Sequence, residues 1–167
     1  MTLDNVHFNS TSIIKAKLTI EEKQKMLSKI QINSDSNFEL TVTIPVTKKD
    51  RYTGELIEKT ELVAECEFYK DSDNSIWINR IISYGVYQGI GIGTLIIKQA
   101  IEKFGLIFIS NATQSEKALF SKDKPNDLRY YSDTLKFEDS NIGKFAVKLI
   151  EKGILSEDNI RNPYLKH

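Results

Sequence analysis

The sequence is poor in the residues that build metal centres and disulfide frameworks. Its 167 residues include one cysteine, Cys66, and two histidines, His7 and His167, which lie near opposite ends of the chain. A disulfide framework and a cysteine-based metal site are therefore excluded, and the separation of the histidines argues against a histidine-rich site. We predict that the protein holds no metal.

The sequence also lacks an excess of charge and a long apolar run. Its 23 basic residues are balanced by 23 acidic ones, so the basic face typical of nucleic-acid binding is not indicated. No apolar run reaches the roughly 18 residues of a membrane span. The N-terminal stretch MTLDNVHFNSTS has no basic segment followed by an apolar one, unlike a secretory signal. We expect a single cytoplasmic domain, 1–167, without nucleic-acid or membrane partners.

Hydrophobic periodicity predicts a strand and a helix at the start of the chain. Residues 12–18 alternate between apolar and polar side chains, as in a strand. Thr19 and Glu22 form a capping-box pattern, which predicts that a helix runs from Ile20 to about Ile30. The polar residues 33–37 are predicted to break this helix.

Three strand-like runs follow, and they indicate an antiparallel meander. The runs are 38–46, 62–69 and 76–84, each rich in residues that favour strands. The charged residues 48–59 are predicted to connect the first two runs, and the sequence DSDN at 71–74 is a turn signal.

A helix and a buried strand then complete a predicted βαβ unit. Apolar residues recur at near-helical spacing over 92–104, and Gly105 is suited to end that helix. The short apolar run 106–110 favours a buried strand. We expect strands 76–84 and 106–110 to be parallel and joined by a right-handed crossover.

The glycine-rich turn before this helix is typical of a phosphate-binding site. Gly89, Gly91 and Gly93 expose backbone N–H groups with no side chain in the way, and a helix N-terminus attracts anions. The spacing matches neither the P-loop pattern nor the dinucleotide fingerprint GxGxxG. The structural alternative is a turn that merely allows strand and helix to pack closely.

The segment Gln88-Gly89-Ile90-Gly91-Ile92-Gly93 matches Q/R-x-x-G-x-G/A, the acetyl-CoA signature of the GNAT superfamily of N-acetyltransferases. The chain resembles that family over roughly 12–137. The resemblance implies an α/β (α+β) fold with a mixed, mostly antiparallel central sheet, helices on both faces and a βαβ acetyl-CoA-binding unit. It implies acetyl transfer from acetyl-CoA to a primary amine of a small molecule or protein.

The resemblance also implies which residues hold coenzyme A. Backbone amides of the turn would bind the pyrophosphate, and the pantetheine arm would bond the preceding strand near Ile81 and Ser83. By position in the motif, the pyrophosphate donors are Gln88, Gly89, Gly91, Gly93 and Thr94.

The catalytic residues are less sharply defined, because the chain departs from the family after residue 110. The family's tyrosine acid corresponds to Ser132, so the neighbouring Tyr131 is the predicted proton donor; packing of an aromatic residue on the sheet is the alternative. Glu65 and Glu67 share one face of the predicted strand 62–69. Glu67 is the predicted general base, against the alternative of a solvated strand face. Cys66 and Trp77 are predicted core residues.

The region that would select the amine acceptor differs most from the family. Residues 141–154 carry a helical apolar pattern where relatives usually continue with strands, and the tail from Arg161 is polar. A non-catalytic GNAT-fold protein that binds coenzyme A or a protein partner is therefore the alternative function. The acceptor amine and the choice between monomer and homodimer stay open.

Overall fold

The computed structural model describes residues 18–112 and 136–164. In that part the chain forms three α-helices, six β-strands and three short 3₁₀ helices. The α-helices are α1 (Ile20–Lys29), α2 (Ile92–Phe104) and α3 (Asn141–Glu151). The strands are β1 (Gln31–Ser36), β2 (Glu39–Lys49), β3 (Leu56–Lys70), β4 (Ile76–Ser83), β5 (Ile107–Ser110) and β6 (Ile160–Arg161). The 3₁₀ helices are Gly85–Tyr87, Phe137–Asp139 and Glu157–Asn159.

The strands form one mixed sheet in which neighbours follow chain order, from β1 to β6. β1 is antiparallel to β2, whereas β5 is parallel to both β4 and β6. The connections at 50–55 and 71–75 are too short for a crossover, so β2, β3 and β4 follow one another as antiparallel hairpins. The expectation of a mixed sheet in an α+β chain is therefore confirmed.

One compact unit of the chain consists of Met1–Cys66 with Ile81–Ile96. Its core includes alternate residues of β2, because successive side chains of a strand point to opposite faces. The fully buried or nearly buried side chains here are Leu40, Val42, Ile44, Val63, Ala64, Cys66, Ile90, Ile92 and Ile96. Helix α1 starts at the predicted capping box: the Glu22 carboxylate accepts the Thr19 N–H at 2.9 Å, and the Thr19 hydroxyl accepts the Glu22 N–H at 3.1 Å.

The other compact unit consists of Glu67–Arg80 with Ile97–His167. All four residues of β5 are buried, which fits a strand with parallel neighbours on both sides. Trp77 packs on Phe108 with 5.2 Å between ring centroids, and Phe68 packs on Phe104 with 4.9 Å. Helix α3 buries Ala146 and Leu149 on one face.

Several local predictions are confirmed by these elements. Helix α2 spans 92–104 as predicted, and Gly105 ends it at φ +78°, with its N–H bonded to the Ile101 carbonyl at 2.8 Å. The DSDN turn lies between β3 and β4. The parallel pairing of strands 76–84 and 106–110 is also confirmed, through Ile76 with Ile107 and Trp77 with Phe108.

Two predictions of local structure are wrong. The connection predicted over 48–59 is half strand, since β2 continues to Lys49, β3 begins at Leu56 and only 50–55 lie between them. Helix α3 ends at Glu151 rather than 154. Residues 33–37 lie beyond the end of α1, as predicted, but β1 extends to Ser36, and its Asn33 side chain donates to Thr43 Oγ1 at 3.1 Å. The sequence predicts neither β1 nor β6.

Two other predictions fall largely or wholly outside the described residues. These are the strand at 12–18, of which only Leu18 is described and is not in a strand, and the segment around Tyr131. Among the described helices, none combines the length and the apolar character needed to cross a bilayer.

Candidate anion-binding site

The site begins where the chain leaves β4 and turns towards α2. Tyr84 N–H donates to the Val63 carbonyl of β3 at 2.9 Å, which fixes the start of the turn. Gly85 follows at φ +52°, a left-handed conformation that favours glycine. Tyr87 N–H then bonds the Tyr84 carbonyl at 3.1 Å, and Gln88 N–H bonds the Gly85 carbonyl at 3.3 Å. The turn is thus held by its own backbone.

The glycines that follow are held at the surface by the isoleucines between them. Ile90 and Ile92 are 5% and 1% exposed and belong to the core, whereas Gly89 and Gly91 are exposed. Gly89 has φ +75° and Gly91 φ +100°, values that L side chains rarely adopt. The alternation therefore buries the apolar side chains and presents backbone without side chains to solvent.

The N-terminus of α2 adds further backbone N–H donors. Leu95 N–H bonds the Gly91 carbonyl at 3.3 Å, so Gly91 occupies the N-cap position and has no side-chain oxygen to cap the helix. Among the described residues, no backbone acceptor lies opposite the N–H groups of Ile92, Gly93 and Thr94. The first turn carries no acidic residue that would neutralise the helix dipole. This end of the helix suits an anion.

Four of the five predicted pyrophosphate donors lie on the exposed glycines or in the first turn of α2, whereas Gln88 does not. Gly89, Gly91, Gly93 and Thr94 lie on one continuous segment, exposed or half-buried. The Gln88 N–H is already engaged with Gly85, and its side-chain amide donates to the Ser83 carbonyl at 3.0 Å. The structure therefore gives Gln88 contacts within the turn.

The predicted pantetheine contacts, Ile81 and Ser83, are half-buried residues at the end of β4. Because Tyr84 N–H points to β3, alternation along an antiparallel strand directs the backbone groups of Ile81 and Ser83 away from β3. β4 pairs with β5 at Ile76 and Trp77, which precede Ile81 and Ser83 along the strand. The Ile81 backbone and the Ser83 N–H thus face the direction that the predicted role requires, whereas the Ser83 carbonyl already accepts from Gln88 Nε2.

The predicted base, Glu67, is part of an ion pair. Its Oε1 lies 2.7 Å from Nη2 of Arg80, and the two side chains are 36% and 44% exposed. Its neighbour on the same face of β3, Glu65, accepts a hydrogen bond from the Tyr84 hydroxyl at 2.8 Å. Glu67 is therefore arranged as a partly solvated strand-face pair, and Tyr131 lies outside the described residues. Cys66 and Trp77 are core residues, as predicted.

One residue next to the glycines, Leu27, was not anticipated from the sequence. A Cβ atom placed on Gly91 would lie 3.7 Å from Cδ1 of Leu27, so α1 reaches the turn. The only signal for this was the apolar stripe that includes Leu27 on α1. Tyr87 is half-buried beside the motif, and burial, followed by the charge of Glu61, raises the pKa of its phenol.

The remaining chemistry of the described residues is sparse. Within residues 18–112 and 136–164, no group of three or more His, Cys, Asp or Glu is arranged to hold a metal ion. No family model, curated protein or solved structure with which the chain was compared matches it. The function is therefore argued from the turn and helix themselves.

Proposed function

We propose that this chain is an acetyl-CoA-dependent N-acetyltransferase of the GNAT type, which transfers an acetyl group to a primary amine of a small molecule or protein. One observation carries the proposal: the sequence Q-x-x-G-x-G spans an exposed glycine turn that leads directly into the N-terminus of α2, where the N-cap residue is Gly91. The motif and the geometry that its chemistry requires thus coincide in one segment, Gln88 to Thr94.

The donor set fits a pyrophosphate group. Gly89 and Gly91 expose main chain without side chains, and Gly93 and Thr94 lie in the first turn of α2. Hydrogen bonds to charged groups contribute about 1.5–3 kcal/mol each, so a few such amides are sufficient for substantial binding. The positive end of the helix dipole adds to the attraction. These four residues would hold the diphosphate of acetyl-CoA.

The strand before the turn fits the amide-containing pantetheine arm. An extended ligand with its own amides can bond strand backbone, as in strand addition to a sheet. The Ile81 backbone and the Ser83 N–H are directed away from β3, which supports this role, whereas the Ser83 carbonyl accepts from Gln88 Nε2. β4 and β5 pair in parallel and α2 lies between them in the chain, which agrees with the expected βαβ unit.

Acetyl-CoA, when bound, would supply the acetyl group as a reactive thioester. The chain would then have to remove a proton from the acceptor ammonium and return one to the departing thiolate. Glu67 and Tyr131 stay the predicted base and acid. For Glu67 to accept a proton, its carboxylate would have to be released from Arg80, which it contacts at 2.7 Å.

That ion pair favours the alternative function, a GNAT-fold protein that binds coenzyme A or a protein partner without catalysis. A carboxylate engaged by a guanidinium is well suited to join β3 and β4 and poorly suited to proton transfer. A non-catalytic protein of this kind would keep the coenzyme A site and lack acetyl transfer. The two functions therefore differ in turnover and agree in ligand binding.

A two-stage experiment tests the proposal. First, thermal unfolding is followed with acetyl-CoA, with adenosine as a control that lacks the pyrophosphate. A ligand at 100 times its Kd stabilises the folded state by about 2.7 kcal/mol, so a clear rise of Tm with acetyl-CoA alone is expected. Second, thiol release is measured with a panel of small amines and lysine peptides. No shift with acetyl-CoA overturns the proposal, whereas binding without thiol release favours the non-catalytic alternative.

A further inference from the structure

The side chain of Gln88 connects the exposed part of the turn to the end of β4. Its Nε2 donates to the Ser83 carbonyl at 3.0 Å, across the four residues that form the turn. The backbone bonds from Tyr87 to Tyr84 and from Gln88 to Gly85 lie inside this closed loop. Gln88 itself is exposed. The side chain therefore folds back along the strand rather than extending into solvent.

The two ends of the turn are anchored by other means. Tyr84 is bonded to β3 through its N–H, and Ile90 is buried in the core at 5% exposure. Between these anchors, Gln88 and Gly89 are both exposed and have no core side chain to hold them. The Gln88–Ser83 bond supplies a constraint at the point where the chain enters the glycines.

The direction of the glycine amides depends on this entry. Gly89 and Gly91 both have positive φ, +75° and +100°, and glycine adopts many other conformations at similar free energy. Without a fixed entry, these amides would converge on a ligand only part of the time. Holding a site in its bound geometry raises affinity because less ordering is needed upon binding.

We propose that Gln88 is a positioning residue: its side-chain amide holds the turn against the Ser83 carbonyl and so orients the amides of Gly89 to Thr94 toward an anionic ligand. This inference rests on the proposed function for the identity of the ligand. On this view, position 88 requires a long side chain with a hydrogen-bond donor that reaches the Ser83 carbonyl, and its role is not contact with the pyrophosphate. The Ser83 carbonyl is correspondingly a partner of the turn.

The test compares variants that separate length from donor capacity. Gln88→Met keeps the length and removes the donor, whereas Gln88→Arg keeps a donor at similar reach. Gln24→Met on α1 is the matched control, because it makes the same replacement at another exposed glutamine. Two quantities are measured: amide hydrogen exchange at Tyr87 and Gln88 in the ligand-free protein, and the Kd for acetyl-CoA.

The expected result is faster exchange at both amides in Gln88→Met, together with about a five- to tenfold higher Kd, the effect of one ordinary hydrogen bond. Gln88→Arg should restore slow exchange, and Gln24→Met should change neither quantity. Unchanged exchange in Gln88→Met overturns the inference, as does faster exchange with unchanged affinity. If the unmodified protein does not bind acetyl-CoA, the proposed function fails and the ligand half of the inference fails with it. The exchange data then still decide whether Gln88 holds the turn.

Discussion

Replacement of Gly91 by alanine separates the conformation of the glycine turn from its binding role. Gly91 has φ +100° and is exposed. An added Cβ would lie 3.7 Å from Leu27 Cδ1, which is an ordinary van der Waals distance. The space therefore tolerates a methyl group, and the cost of the substitution comes from backbone strain.

The chain offers a control with nearly the same local chemistry. Gly54 in the β2–β3 turn has φ +70° and is exposed, and its added Cβ would meet Lys49 Cε at 3.7 Å. We expect Gly91→Ala and Gly54→Ala each to lower the free energy of unfolding by about 1–3 kcal/mol, the usual cost of holding an L residue in such a conformation. For a chain of this size that corresponds to a fall in Tm of roughly 2–12 °C.

The two variants should differ in ligand binding. Relief of the strain at position 91 would reorient the N-cap of α2 and displace at least one amide from the ligand. Loss of one hydrogen bond to a charged group costs about 1.5–3 kcal/mol, which is about tenfold or more in affinity. Calorimetric titration with acetyl-CoA should show that loss for Gly91→Ala and an unchanged Kd for Gly54→Ala. Equal affinities of the two variants would refute the assignment of the turn as the binding site.

Three further predictions concern the rest of the described chain. Because burial raises the pKa of Tyr87, the phenol loses its proton at lower pH in the unfolded state than in the folded state, and the free energy of unfolding should fall as pH rises above about 10. Denaturant titrations at two alkaline pH values measure this fall. The same dependence of the unfolding free energy on pH in Tyr87→Phe would contradict the prediction. Asn159→Ala should lower the free energy of unfolding in urea by about 1–3 kcal/mol. It removes the 2.9 Å bond to the buried Ile107 carbonyl and the 2.8 Å bond that Asn159 Oδ1 accepts from the Ser156 N–H. A loss below about 0.5 kcal/mol would contradict a stabilising role of these bonds. Gly143→Ala should lower the free energy of unfolding by about 3 kcal/mol or more, because the added Cβ would overlap the Phe137 carbonyl oxygen at 1.7 Å. An unchanged Tm would contradict this close approach of Gly143 to Phe137.

The sequence predicts elements well where local chemistry alone defines them. The Thr19–Glu22 capping box is a reciprocal pair of short-range bonds, so it can be read directly from the residues. Helix α2 combines an apolar stripe with glycines at both ends, and both of its limits follow from that pattern. The exposure of Gly89 and Gly91 follows similarly from their alternation with two isoleucines.

The errors arise where pairing with a distant segment overrides local preference. The sequence of β1, QINSDS, is polar and turn-like, but its backbone finds partners in β2 and its Asn33 side chain bonds Thr43. Strand β6 is only two residues long and exists because β5 offers a free edge. Neither signal is present in the segment itself.

The side-chain partners of the candidate site could not be predicted for the same reason. Alternation places Glu65 and Glu67 on one face of β3, but only the register with β4 brings Arg80 to Glu67 and Tyr84 to Glu65. The bond from Gln88 to Ser83 depends on the path of residues 84–87, which Gly85 leaves undetermined in the sequence. The motif identifies the segment, and the fold determines what each residue in it does.

Backbone amide NMR of the ¹⁵N-labelled protein during titration with acetyl-CoA tests the central claim most directly. We predict saturable downfield shifts of the Gly89, Gly91, Gly93 and Thr94 amides, since these are the donors that would bond the pyrophosphate. The amide of Gln88, which already bonds Gly85 at 3.3 Å, should shift less. Saturation of the protein with no change at these four amides, or with changes confined to other segments, would contradict the account.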